Sequence, residues 1–161
     1  MFSSVKTSVV ISHIAITALI LLGLLLEIFV IPVNAIALQA KFLEFKGDAP
    51  VINSLLIALV AFGQVSLISI DLLIRRVDQH SLLARSSERL VSFLIYSLTG
   101  VAATFFALLL WLMSQNALPP VVHLSIWVGI MLALSAALVI NVLKTVLHES
   151  IDNLAELESV I

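Results

Sequence analysis

SVVISHIAITALILLGLLLEIFVI, residues 8–31, is an apolar run that carries one charged side chain, Glu27. A helix crossing a bilayer needs about 20 such residues, at ~1.5 Å rise each, to cover a hydrocarbon core of ~30 Å. This run has them, and so do 51–74, 90–113 and 121–143, with polar or charged breaks between. The pattern predicts an all-α integral membrane protein, a four-helix bundle of antiparallel up-down hairpins over residues 1–147. A short amphipathic helix is expected over 148–161 on the cytoplasmic side.

Composition narrows the function classes. Four spans take most of 161 residues, which leaves no room for a soluble catalytic domain, and 61% hydrophobic against 11% charged is far from an ordinary soluble mixture. A net charge of −2 does not by itself imply a nucleic-acid partner, and no direct nucleic-acid binding is expected. With no cysteine, thiolate metal sites, disulfides and cysteine nucleophiles are all excluded. His13, His80, His123 and His148 fall at different depths without metal-ligand spacing. No cofactor and no metal are expected. Lys6 and the small-x-small Ala35-Ile36-Ala37 resemble parts of a signal peptide, but the apolar run is about twice the usual 7–15 residues, so the first span is expected to be retained.

Charge orients the spans. If the helices alternate in direction, Lys6, Arg75, Arg76, Arg85, Arg89 and Lys144 share one side, and the other holds only Lys41 and Lys46. The positive-inside rule predicts that both termini and the middle loop lie in the cytoplasm. On the outer side, Pro32 and Pro50 bound a longer segment, and the apolar pattern continues past Pro32 to Leu38, so the first helix can kink at the proline and run on. The second outer loop is a tight turn ending in Pro119-Pro120, flanked by Trp111 and Trp127, where interfacial indoles sit.

Within lipid, helices associate through close backbone approach and polar contacts rather than through apolar burial. Ser125, Gly129, Ala133 and Ala137 form a small-residue stripe on the fourth span, and Gly100 with Thr104 a shorter one on the third. The stripe serves either as a packing groove inside the bundle or as a homodimer face. Glu27 is the outlier at membrane depth, where a carboxylate costs several kcal/mol unless paired or given water, with Gln64 and His123 as possible partners. It reads either as an interfacial carboxylate bonded to a neighbouring helix or as a ligand, proton or partner site. Asp71 and Arg75 stand one turn apart and can pair, and Asn141 suits an interhelical hydrogen bond.

The cytoplasmic face offers a docking surface. Arg75, Arg76, Arg85 and Arg89 surround the middle loop, and Leu147, Ile151, Leu154, Leu157 and Ile161 give the tail one apolar stripe. Its polar face carries Glu149, Asp152, Glu156 and Glu158, which anionic headgroups repel. Such a helix either extends the fourth span and closes on its own arginine loop or docks on a protein partner.

Several short motifs recur in a recognisable order: Glu27-Ile28-Phe29-Val30-Ile31-Pro32, Gln64-Val65, the Arg75-Arg76-Val77-Asp78 exit into a loop with Ser81, and the Leu157-Glu158-Ser159-Val160-Ile161 ending. In these the chain resembles the small bacterial four-span family known as domain of unknown function 2975, with Ser92 standing where an aspartate is frequent. The resemblance implies four spans with both ends inside, but no agreed activity and no catalytic residues. Because members are often encoded beside a small helix-turn-helix regulator, it also implies a membrane protein that answers to, or holds, a cytoplasmic partner.

The sequence thus favours a non-enzymatic regulatory or accessory component acting through protein contacts. The rivals are a small oligomeric transporter or channel using Glu27 and Gln64, and a minor subunit of a larger membrane complex.

Overall fold

A computed structural model of the chain describes residues 2–41, 49–78, 85–114 and 120–159, all of them helical. Helix α1 spans Phe2–Leu25, passes through a π-helical turn at Leu26–Val30 and continues as α2, Ile31–Lys41. Helix α3 spans Ala49–Asp78, α4 Arg85–Ser114 and α5 Pro120–Ser159. Among the described residues four stretches are long and apolar enough to cross a membrane: Thr7–Asn34, Pro50–Arg76, Ser87–Ser114 and Pro120–Asn153. Each contains one of the four runs read from the sequence, as a multi-pass membrane protein requires. The loop residues Glu44, Lys46, Asp48, His80 and Ser81 lie outside the described residues.

Local chemistry accounts for the helix ends. Pro50 and Pro120 sit in first turns, where an absent N–H breaks no helical bond. Arg75 and Arg76 occupy the last turn of α3 and Glu88 the first turn of α4, each favourable to the helix dipole.

Pro32 does not stop the first helix, which runs on to Lys41. Proline has no N–H and its ring crowds the carbonyl one turn back. The chain accommodates this by widening the turn just before it, where the Ile31 N–H bonds to the Leu26 carbonyl. The Asn34 side-chain amide then donates to the Val30 carbonyl at 2.8 Å.

Packing runs between sequence neighbours: α1, the π turn and α2 against α3, α3 against α4, and α4 against α5. The pairs are antiparallel, since His13 meets Asp71, Ser66 meets Ser97 and Glu88 meets His148. Glycine-aromatic contacts set the seams. A Cβ at Gly100 would come within 2.6 Å of the Phe62 ring, and one at Gly129 within 2.9 Å of the Phe105 ring. Leu109, Ile126 and Ile130 fill the α4/α5 seam with Phe105, Leu108 and Leu112 packed around them. Between α3 and α4 the buried Ser66 and Ser97 hydroxyls are 2.7 Å apart. Whichever donates across, the other can donate to its own helix, at the Phe62 or the Leu94 carbonyl. Such interhelical bonds in lipid contribute roughly 0.6 kcal/mol on average.

The tail helix is the last part of α5, continuous with the fourth span. At 40 residues α5 is about 60 Å long, twice the hydrocarbon thickness, so its C-terminal part projects from the bilayer.

Candidate functional site

Two polar regions stand out: the α1/α3 seam within the membrane, and the end of the molecule where α1 and α4 begin and α3 ends. On α3, Asn53, Gln64, Asp71 and Arg75 are separated by 11, 7 and 4 residues, each close to a whole number of turns at 3.6 residues per turn. They therefore share one face, and two of them are placed against α1. Gln64 packs on the backbone of Gly23, where a Cβ would meet its Nε2 at 2.8 Å. Asp71 accepts from His13 Nδ1 through one carboxylate oxygen and from Arg75 Nε through the other, the latter at 3.0 Å.

Glu27 lies in the π turn, one turn beyond Gly23, and so enters the same seam. Glu27 Oε1, Gln64 Nε2 and Asn53 Oδ1 are buried without a hydrogen-bond partner. Glu27 and Gln64 therefore do not bond each other through these two atoms. Among the described residues His123 is bonded elsewhere: it accepts from Trp127 Nε1 at 2.9 Å, and its helix α5 packs chiefly on α4. Leaving buried polar atoms unpaired costs roughly 1–3 kcal/mol each, and single π turns occur frequently at functional sites.

At the charged end the second cluster joins α4 to α5. His148 places Nδ1 3.5 Å from Glu88 Oε2 and Nε2 3.4 Å from Asp152 Oδ2. Closure of the acidic tail on the arginine loop was one of two expectations, docking on a protein partner the other. Among the described residues the link between α4 and the tail has the opposite sense, an α4 acid meeting a tail histidine. Arg75 pairs instead with Asp71 on its own helix, because α4 lies between α3 and α5. Arg76, Arg89, Glu149 and Asp152 also lie at this end, with Arg89 and Glu149 exposed. The side chains of Arg85, Glu156 and Glu158 lie outside the described residues.

The small-residue stripe of α5 is split by helix geometry. Ala133 and Ala137 are buried and Gly129 is half-buried against α4, whereas Ser125 is exposed and donates to its own Val121 carbonyl at 2.8 Å. A step of four residues turns about 40° beyond a full circle, so the stripe crosses the seam obliquely. The same drift carries Asn141 out of it. Its side chain is exposed rather than bonded between helices, and its backbone carbonyl accepts from Thr145 at 3.2 Å.

The sequence reading paired Asp71 with Arg75 but missed His13, which lies 58 residues from Asp71. Matched depth was the available signal, since both stand a few residues inside the same end of their spans.

Residues 46–161 match a family model described as a protein of unknown function, DUF2975. The matched region begins after the first span, so the stretch from Glu27 to Pro32 lies outside it. No curated protein and no solved structure matches the chain.

Proposed function

This chain is a member of the DUF2975 family, and we propose that it is a non-enzymatic regulatory or accessory component of a bacterial plasma membrane, working through protein contacts at its charged end. That end would face the cytoplasm, as the arginine bias favours. The observation that carries the reading is the projection of α5 beyond the bilayer, with exposed Glu149 and Asp152 held beside α4 through His148. A long acidic helix fixed at its base suits a cytoplasmic protein partner better than it suits anionic lipid. Replacing Glu149, Asp152, Glu156 and Glu158 together by alanine is expected to abolish co-purification of a stoichiometric partner from native membranes in mild detergent. Undiminished recovery of that partner would remove the tail from the docking surface.

A second reading, transport by an oligomer, is favoured by the unpaired Glu27 and Gln64 atoms beside the π turn. It predicts that Glu27→Gln abolishes a proton or cation flux into proteoliposomes. If neither chain carries any flux, this reading fails.

A further inference from the structure

Near its charged end, α4 carries an open groove of about 160 Å³ lined by Arg89, Ser92, Phe93 and Tyr96. These positions are three, four and seven residues apart and so form one stripe of the helix. Val91, Leu94 and Ser97, on other faces, are buried in the seams, whereas Phe93 is 60% and Tyr96 73% exposed. The groove therefore opens outward, to whatever surrounds the bundle. It is smaller than the ~300–1,000 Å³ pockets that enclose soluble ligands, and it lies at the edge of a membrane span.

Its polar groups need an occupant. Arg89 meets no carboxylate among the described residues; its neighbour Glu88 is turned to His148. Tyr96, whose hydroxyl has no hydrogen-bond partner among the described residues, has its Cα about 10 Å along the axis from that of Arg89, on the apolar side. Side chains on a helix lean toward its N-terminus, and for α4 that is the charged end. The phenol is thus carried back toward Arg89 and the headgroup layer. Ser92 has its proton committed to the Glu88 carbonyl at 2.9 Å, so it offers only an acceptor. One cation and one hydroxyl donor remain, above an exposed phenyl ring.

We propose that this groove seats one acidic phospholipid, its phosphate held by Arg89 and Tyr96 and its acyl chain laid against Phe93. The positive charge has no counter-ion among the described residues of the groove, and a zwitterionic lipid would bring its own ammonium cation to compete for the phosphate. The proposal requires only that the chain spans a bilayer. It does not depend on which side the charged end faces or on any protein partner.

The test is native mass spectrometry of the full chain released from detergent, titrated separately with phosphatidylglycerol, phosphatidylcholine and inorganic phosphate. The expected result is retention of one phosphatidylglycerol in preference to phosphatidylcholine. Arg89→Gln should weaken it about fivefold and Tyr96→Phe about threefold, with Arg75→Gln leaving it unchanged. Equal retention of both lipids, or an Arg89→Gln chain that binds as the parent does, would overturn the proposal. So would displacement of the lipid by equimolar inorganic phosphate, which would make the groove a free-anion site. Should the variants fail to fold, a photoreactive phosphatidylglycerol added to the unaltered chain gives an independent answer. Its adduct is expected on the peptide containing Phe93, and adducts confined to other helices would contradict the assignment.

Discussion

Gly100 lies beneath the ring of Phe62, and the contact leaves no room for a methyl group. Gly100→Ala must displace a flat ring rather than a flexible chain end, and overpacking of this kind costs typically ~1–3 kcal/mol. The expected result is a lower thermal midpoint in detergent, recovered in large part when Phe62→Ala is added. Gly63→Ala serves as control, since nothing stands within 4 Å of a Cβ there. At this scale the sequence was half legible. Gly100 with Thr104 read as a packing surface, but the ring that fills it did not, because composition carries no register between two helices. The same blindness hid His13 from Asp71. It also left Asn141 misplaced, since its depth was readable and its rotation about α5 was not.

The first helix shows what a single proline does to an element. Pro32 removes one donor and crowds the turn before it, and the chain takes up the strain as a π turn containing Glu27. Pro32→Ala returns the donor and lets an α turn close. Because an interior proline costs a helix about 3 kcal/mol, the variant is expected to raise the thermal midpoint. It should also re-aim Glu27, seen as altered crosslinking between cysteines placed at positions 27 and 64 in a chain that has none of its own. An unchanged midpoint and unchanged crosslinking would mean that the π turn owes nothing to the proline. A helix running on beyond Pro32 was legible from the apolar pattern past the proline. The π geometry was not, because a proline is compatible with a plain bend as well as with a widened turn. Nor was the continuity of α5 decided in advance, since an amphipathic tail reads the same whether it extends the span or folds back.

Across the whole molecule, the described helices pack on their sequence neighbours and gather most of their charge at one end. The fold class was legible from four apolar runs alone, since in lipid every backbone group must be satisfied within its own helix. What contacts what was less so, because apolar faces meet lipid as readily as each other and α1 and α5 leave broad apolar surface exposed. The docking role proposed for the tail depends on the charged end being cytoplasmic, so topology is the claim on which that role stands. The measurement is labelling of single cysteines, one at Ser150 on α5 and one at Ser114 at the end of α4, with a membrane-impermeant maleimide on intact and then permeabilised cells. The cysteine at 114 is expected to react in intact cells, and the one at 150 only after permeabilisation. Labelling of position 150 in intact cells would contradict this topology.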